Sequence, residues 1–355
     1  MNLDRLHIRG LRNLTDCSLE FNPRLNVIVG PNGSGKSSIL EAIYLLGRGK
    51  SFRSSHSRRI VKHGQSELTV FANISDKASG KYGIGVQILD GRLVSKVNGQ
   101  FLNQSSKLAS LVPLLLINPD ADKLIQGSPR LRRRFLDWGL FHVEQVFFSV
   151  WQRYNRALQQ RNAALREAKA SIDPWNVQLI DVGMELHSLR QRYARDMSLV
   201  AQSVFTELAG VEGVKFTYQF GWPKDMTLSN AMAEQLESDR RAGFTQRGPH
   251  RADLVMTVDG KRANDILSGG QQKLAACALI IGQAKVFLKE RGDSCLLLID
   301  DLPAELDATR RNTLMRLLEG TGCQLFVTTT DVRALELSLC GDVALFHVEH
   351  GAVVA

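Results

Sequence analysis

The segment Gly30-Pro-Asn-Gly-Ser-Gly-Lys-Ser37 constrains the fold more than any other part of the sequence. It fits the spacing G-x-x-x-x-G-K-[ST], follows the apolar run 25–29 and precedes a helix-like segment that continues to residue 46. A strand, a glycine-rich turn and a helix in this order are typical of an α/β sheet whose loop amides surround phosphate oxygens. The sequence therefore predicts an ATP site at Gly30, Pro31, Asn32, Gly33, Ser34, Gly35, Lys36, Ser37 and Ser38.

A second segment, Leu296-Leu-Leu-Ile-Asp300-Asp301, has the pattern of a buried parallel strand that ends in two acids. Together with the phosphate loop it predicts catalytic chemistry: Lys36 contacts the β- and γ-phosphates, Ser37 and Asp300 hold Mg²⁺, and Asp301 orients the attacking water. The alternative for Asp301 is a helix N-cap or a salt-bridge partner.

A third segment, Ser268-Gly269-Gly270-Gln271, precedes an apolar helix and again presents amides and a hydroxyl to an anion. One chain already has its phosphate loop at Gly30. A second anion-binding helix start is best explained if it closes on the γ-phosphate held by another copy of the chain. The alternative is an ordinary Ser-Gly-Gly turn.

The net charge of +9 lies in the first third of the chain, because residues 1–118 contain 16 Lys and Arg against 7 Asp and Glu. No acid occurs between residues 48 and 65. A polyanion is the natural partner of such a segment, and a solvated basic face is the alternative. We predict that the segment binds DNA through Arg48, Lys50, Arg53, Arg58, Arg59 and Lys62, with residues 130 and 132–134 as the other candidate region.

At 355 residues the chain has room for about two domains. Its apolar runs are too short to span a membrane, and its five cysteines form no C-x-x-C pair, so we expect a cytoplasmic protein. Alternating segments between residues 68 and 101 predict an antiparallel meander, and 141–170 with 177–208 predict a helical hairpin. We therefore predict a discontinuous α/β head, 1–118 with 246–355, and an inserted helical arm, 119–245.

The three phosphate elements together resemble the ABC-type ATPases, in which the signature loop of one subunit caps the nucleotide of its partner. Asp300-Asp-Leu-Pro-Ala-Glu-Leu306-Asp307 is similar to the Walker B and D-loop run of that class. Asp301 stands where glutamate is usual, which implies slow hydrolysis. Thr330 is the equivalent of the switch histidine, and Asn118 takes the place of the glutamine loop.

Further segments resemble the RecF family of SMC-like ABC-type ATPases. They include Leu6-His-Ile-Arg-Gly-Leu-Arg12-Asn13, Gly49-Lys-Ser-Phe-Arg53, Pro119-Asp120 and Phe135-Leu-Asp137. The resemblance implies an ABC-type ATPase head with a β-rich lobe and a helical arm, with Arg12 and Asn13 at the nucleotide. It also implies an ATP-gated homodimer with weak DNA-stimulated ATPase activity. Such a dimer binds single-stranded, gapped and junction DNA and, with RecO and RecR, helps to load RecA onto strands coated with SSB.

Two other functions share these motifs. An architectural clamp would bind ATP without hydrolysing it, which the departures at Asp301 and Thr330 allow. A transporter nucleotide-binding subunit would need an exposed apolar groove for a membrane partner and normally a switch histidine, and the sequence shows neither.

Overall fold

The structure, a computed structural model, describes residues 1–14, 16–77, 79–102, 104–167, 172–301, 306–335 and 342–354. The chain forms two compact units, one from residues 1–121 with 284–355 and the other from residues 122–283. The predicted arm, 119–245, falls within the second unit except for its first three residues. That unit also contains residues 246–283, which the sequence analysis assigned to the head.

The first unit contains an antiparallel sheet with strand order β2-β1-β4-β5-β6-β7. Its strands are β1 (Asn2–Arg9), β2 (Asp16–Glu20), β4 (Glu67–Asp76), β5 (Gly80–Leu89), β6 (Arg92–Val97) and β7 (Gln100–Phe101). The turns Asp90-Gly91 and Asn98-Gly99 have positive φ at both residues, which is the backbone of a two-residue hairpin. The predicted meander is therefore confirmed.

A second sheet of the same unit has the order β15-β14-β3-β13-β12-β8. Its strands are β3 (Leu25–Val29), β8 (Leu114–Ile117), β12 (Leu296–Ile299), β13 (Gln324–Thr329), β14 (Val343–Glu349) and β15 (Ala352–Val354). All neighbours from β14 to β8 pair in parallel, and β15 is antiparallel. β3 and β12 are buried at every position, because a parallel sheet is covered on both faces.

Helix α1 (Lys36–Arg48) lies in the hydrophobic core that joins the two sheets. Ile39, Leu40 and Ile43 are fully buried there, together with Leu298 of β12 and Phe326 of β13. The other α-helices described in this unit are α2 (Ser105–Leu111), α11 (Ala308–Glu319) and residues 284–291 of a helix that begins in the second unit. The phosphate loop is therefore attached to a strand and a helix that the core holds rigidly.

The second unit is mainly helical. Its elements are α3 (Lys123–Gln126), α4 (Pro129–Val143), α5 (Phe147–Arg166), α6 (Asp173–Ala209), β9 (Val214–Gln219), α7 (Leu228–Glu234), α8 (Leu236–Ala242), β10 (Asp253–Val258), β11 (Lys261–Arg262), α9 (Ala263–Ile266) and the start of α10 (Gly269–Arg291). The predicted hairpin corresponds to α5 and α6. The first predicted helix was wrong in its start, since Phe141 belongs to α4 and the extended Glu144 separates α4 from α5. Residues 168–171 at the tip lie outside the described part of the chain.

Buried polar contacts fix the segment that leads into β10. The Tyr154 hydroxyl lies 2.7 Å from His250 Nδ1, and His250 Nε2 lies 3.0 Å from the Thr245 carbonyl oxygen. A neutral imidazole satisfies both contacts, with Nδ1 accepting from the hydroxyl and Nε2 donating to the carbonyl. Burial lowers the pKa of His250 from 6.5 to about 4, and Arg251, Arg133 and Arg190 add to the decrease.

No helix among the described residues is long and apolar enough to cross a membrane. This agrees with the short apolar runs of the sequence.

His250 makes the stability of the fold depend on pH. The unfolded chain binds a proton near pH 6.5 and the folded chain only near pH 4, so protonation favours unfolding between these values. We expect the parent protein to lose about 3 kcal/mol of unfolding free energy from this group as the pH falls from 7 to 4. Urea denaturation of His250→Gln should show a smaller loss over this range, whereas His63→Gln, at an exposed position, should behave like the parent. Equal losses in all three proteins would contradict the assignment.

Candidate nucleotide-binding site

The phosphate loop connects β3 to α1, and three glycines give it its open shape. Gly33 and Gly35 have φ of 78° and 122°, a region that residues with a Cβ rarely adopt. Gly30 is needed for another reason, because a Cβ there would lie 2.2 Å from the backbone oxygen of Val348. The sequence pattern therefore matches the steric demands of this turn.

The loop has the features of an anion site. No side chain caps the first turn of α1, so the amides of this turn and the helix dipole can serve a ligand. The Ser34 hydroxyl is buried, and no hydrogen-bond partner for it occurs among the described residues. The uncapped helix start fits a phosphate group.

Asn13 supports the loop from the side. Its Nδ2 donates to the carbonyl oxygens of Ser34 at 2.9 Å and Gly33 at 3.2 Å, and the Ser38 hydroxyl lies 3.4 Å from its Oδ1. Because C=O and N–H of a trans peptide point in opposite directions, these contacts turn the following amides away from Asn13. Asn13 therefore positions the loop, and its direct contact with a nucleotide remains a prediction.

Arg12 is held beside the loop by Glu41 of α1. Its Nε and Nη2 donate to the two carboxylate oxygens of Glu41 at 2.9 and 2.8 Å, and its Nη1 donates to the Arg59 carbonyl at 3.0 Å. The Glu41 side chain is fully buried and also accepts from the Ser51 hydroxyl. A buried carboxylate is tolerated when it is paired and hydrogen-bonded in this way. Sequence reasoning missed this role of Glu41, although it is the one acid on the apolar helix.

The side chain of Lys36 lies within the loop that it follows. Its Nζ donates to the carbonyl oxygens of Gly30 at 2.7 Å and Pro31 at 3.0 Å. Burial lowers the pKa of Lys36, and the carboxylates of Asp301 and Asp300 oppose that decrease. The ammonium group is therefore within electrostatic reach of both acids.

Thr328 of β13 joins the two acids that follow β12. Its hydroxyl donates to Asp300 Oδ1 at 3.0 Å and accepts from the Asp301 amide at 2.7 Å. Asp301 has φ of 53°, a left-handed conformation that aspartate adopts more readily than most residues. The N-cap of the described helix α11 is Asp307 and not Asp301, since Asp307 accepts from the Arg310 amide. Sequence reasoning did not identify Thr328.

The predicted groups meet at one edge of the parallel sheet. The phosphate loop follows β3, Thr330 follows β13, Asp300 follows β12 and Asn118 follows β8, and these four strands are neighbours. The Asp300 amide donates to the Ile117 carbonyl at 2.8 Å, which places Asn118 beside the acids. The carboxyl edge of a parallel sheet is where α/β proteins bind their ligands. Residues 302–305 of the predicted D-loop lie outside the described residues.

A cavity of about 970 Å³ opens beside the loop. Loop residues 32, 33 and 35–38, together with Asp301 and Thr328, form part of its wall. The whole wall includes six cationic side chains and no second acid among the described lining residues: Arg12, Lys36, Arg53, Arg58, Arg59 and Lys62. Its charge therefore suits a polyphosphate.

Four of the six residues predicted to bind DNA thus line this cavity. Their segment is fixed next to the loop by the bridge between Leu11 and Val61 and by the Arg12 amide, which donates to the Ile60 carbonyl at 2.9 Å. Arg48 is half-buried, with Nη2 3.5 Å from the Leu114 carbonyl, and burial lowers its pKa. Lys50 is exposed. Neither Arg48 nor Lys50 is among the residues that line the cavity. Contact of DNA with any of the six residues remains a prediction.

The predicted signature loop begins α10 in the second unit. The Ser268 amide donates to Gln271 Oε1 at 3.0 Å, and the Gln271 amide donates to Ser268 Oγ at 3.3 Å, which is a capping box. Gly269 and Gly270 are exposed, and a Cβ at either would meet no atom within 4 Å. The helix start is therefore open to solvent.

A magnesium ion would depend on few protein ligands here. No three His, Cys, Asp or Glu side chains converge on a metal site in the described part of the chain. Mg²⁺ usually keeps waters and takes one or two protein ligands together with substrate phosphates. The Ser37 hydroxyl, on the cavity wall, and Asp300, bonded to Thr328, fit that role.

Comparison with known proteins agrees with this arrangement. Residues 2–352 match the family model described as the RecF/RecN/SMC N terminal domain. The "DNA replication and repair protein RecF" of Pseudomonas syringae pv. tomato is 42% identical, and that of Pseudomonas syringae pv. syringae is 41% identical. Each match covers 99% of this chain and 98% of the relative. The chain belongs to the RecF family.

Solved structures show the same fold. The recombination mediator protein RecF-ATP of the RecFOR pathway has a TM-score of 0.85 at 26% identity, and RecF-ATPrS has 0.83 at 27%. Each match covers 99% of this chain and 97% of the RecF chain. An Smc head bound to the C-winged helix domain of ScpA has a TM-score of 0.64 at 17% identity, which shows a shared fold. The predicted ABC-type α/β head is confirmed, and none of these relatives is a transporter subunit.

Removal of the Thr328 hydroxyl tests the link between the two acids. Thr328→Val keeps the shape of the side chain but leaves Asp300 and the Asp301 amide without this partner. We expect hydrolysis of a nucleoside triphosphate with Mg²⁺ to slow by roughly 10–100-fold, as for other groups that orient metal ligands. Phosphate release is the measurement, and Thr313→Val on α11 is the control, because its hydroxyl contacts only the Thr309 carbonyl among the bonds described. Equal rates in both variants would exclude the role.

Proposed function

We propose that this chain is an ATP-dependent DNA-binding clamp of recombinational repair and replication restart. The observation that carries the proposal is the meeting of the phosphate loop, Asp300, Asp301 and a cationic wall at one sheet edge. Membership of the RecF family supports it, since the relatives are named DNA replication and repair proteins. The RecF-ATP structure of the RecFOR pathway supports ATP as the ligand and RecO and RecR as partners.

Each residue has a definite task in this proposal. The loop amides and Lys36 bind the β- and γ-phosphates, and the Arg12 guanidinium is fixed by Glu41 in the same cavity. Ser37 and Asp300 hold Mg²⁺, which would supply charge neutralisation at the phosphates. Asp301 orients the water, and its short side chain accounts for slow turnover. Thr330 takes the position of the switch residue at the end of β13.

ATP joins two copies of the chain in this proposal. The amides of Gly269 and Gly270 and the Ser268 hydroxyl would complete their contacts on a γ-phosphate held by the other copy. The exposed helix start supports this, because a capping box leaves amides of the first turn without partners in the helix. A ligand shifts an equilibrium only by its different affinity for two states, so ADP should leave the chains as monomers.

Dimerisation is tested by light scattering in ATP and in ADP. The parent protein should form dimers in ATP and monomers in ADP. Ser268→Arg should still bind ATP but remain monomeric, because a large cation fills the space meant for the phosphate. Ser229→Arg, at an exposed serine in the first turn of α7, is the control and should dimerise like the parent. Dimers of Ser268→Arg, or equal dimer fractions in the two nucleotides, would reject the proposal.

Phosphate release separates a hydrolysing clamp from an architectural one. The parent protein should release phosphate slowly from ATP, and faster with DNA. Asp300→Asn should abolish release, because the amide is a poor Mg²⁺ ligand and Asp300 is the buried acid of the pair. If the parent released no phosphate with or without DNA while dimerising in ATP, the architectural function would replace the hydrolysing one.

A further inference from the structure

The outward face of the antiparallel sheet carries exposed aromatic rings. The strands of this sheet alternate between buried and exposed positions, and their buried side chains pack on α1 and the core. On the opposite side, Phe71 of β4 is 43% exposed and Phe101 of β7 is 66% exposed. We call this side the outer face and define it by Arg5, His7, Phe71, Lys81, Lys96 and Phe101.

The register places the two rings in one row across the sheet. Phe71 pairs with Gly85, Gly85 pairs with Lys96, and Lys96 pairs with Phe101. The rings are therefore three strand spacings apart, or about 14 Å. A strip of sheet without large side chains, at Gly83 and Gly85, lies beside Phe71.

The Phe71 ring reaches across to Gly83 and Gly85 on the neighbouring strand. A Cβ at Gly83 would be 3.0 Å from its Cζ and 3.1 Å from its Cε2, and a Cβ at Gly85 would be 3.8 Å from its Cδ2. Neither glycine has a positive φ, so the backbone alone does not require them. They leave room for the ring, which is 43% exposed to solvent.

Phe101 has a cation beside it. Lys96 Nζ lies 4.4 Å from the centre of the Phe101 ring, within the range of a cation–π contact. The ring nevertheless remains the more exposed of the two. An ammonium group and an open ring are thus presented together at the end of the row.

The charge of this part of the sheet is positive. Strands β5, β6 and β7 contain Lys81, Arg92 and Lys96 and no Asp or Glu. The acids of the face lie on β2, at Glu67, which binds Gln87, and at Asp4, which accepts from the hydroxyl of Ser75 opposite Lys81. An anion laid along the row from Phe71 to Phe101 would therefore meet the Lys96 ammonium group beside Phe101.

Two classes of macromolecule use exposed aromatics, and the surroundings favour nucleic acid. The core of a protein interface is a continuous apolar patch. A third apolar side chain of this face, Leu89, is 45% exposed, and Gln87 separates it along β5 from the row of the two rings, so the apolar area is not continuous here. Flat aromatic planes among cations on an open sheet are the arrangement that stacks unpaired bases and neutralises their backbone.

We infer that the outer face binds single-stranded DNA, with one unpaired base stacked on Phe71, another on Phe101, and the backbone between them near Lys96. Duplex DNA does not fit this site, since its bases are already stacked on each other. The inference rests on the proposed function and gives it a single-strand site outside the nucleotide cavity, whose lining includes none of these residues.

Leucine variants test the stacking. Fluorescence anisotropy with labelled oligo(dT) and a duplex of equal length, in ATP, gives both affinities for the parent, Phe71→Leu, Phe101→Leu and the double variant. Leucine keeps apolar bulk but removes the π-face. We expect each change to weaken oligo(dT) binding by at least about fivefold, with duplex binding within about twofold of the parent. Lys96→Gln should lower the salt dependence of oligo(dT) binding by about 0.7 in slope.

Phe244→Leu is the matched control. Phe244 is also 43% exposed and has Arg251 6.0 Å from its ring centre, but it lies elsewhere, in the second unit. This variant should bind oligo(dT) like the parent. ATP binding and circular dichroism of every variant show that the fold and the nucleotide cavity are intact.

Photocrosslinking of the parent protein avoids any risk of misfolding. Oligo(dT) with 5-iododeoxyuridine should crosslink to peptides that contain Phe71 and Phe101. Crosslinks only elsewhere, oligo(dT) binding by the double variant within about twofold of the parent, or an equal loss of oligo(dT) and duplex binding, would each overturn the inference. A parent protein that binds no DNA in ATP would instead overturn the proposed function, and the inference with it.

Discussion

The orientation of the phosphate-loop amides determines what the rest of the site can bind, and residues distant in sequence hold that orientation. Asn13 occupies the carbonyl groups of Gly33 and Ser34, while the loop is anchored between the buried strand β3 and helix α1. Preorganised amides bind an anion without first paying to reorganise. Asp300, Asp301, the cationic wall and Thr328 can act on a phosphate group only if this loop holds it. Glu41 plays the same supporting part for Arg12.

The sheet topology brings motifs that are far apart in the sequence together at one site. Loop, acids, Thr330 and Asn118 are separated by up to about three hundred residues in sequence, yet their strands are neighbours in a parallel sheet. The carboxyl ends of these strands must then lie together. The long intervening segment forms a separate compact unit, residues 122–283, which contains the Ser268 helix start. The proposed clamp of two copies would divide the phosphate contacts between these separate loops.

Sequence patterns predicted those elements that a short, local run of residues specifies. The glycine spacing predicted the phosphate loop, and an apolar run followed by two acids predicted β12. Alternating apolar and polar residues with Asp-Gly and Asn-Gly turns predicted the meander. Side-chain partners that come from other strands could not be read this way. Thr328 follows an apolar run like any strand residue, and only its place beside β12 brings it to Asp300. The basic segment shows the same limit, since its charge was evident but the bridge of Leu11 to Val61, which places it at the cavity, was not.

In the proposed function this cavity binds the triphosphate rather than the base and sugar alone. Calorimetric titration of the chain with ATP, ADP and adenosine in the presence of Mg²⁺ measures this directly. ATP should bind most tightly, ADP less tightly and adenosine far more weakly, with an ATP affinity that falls as salt rises. Adenosine binding as tight as that of ATP would contradict it.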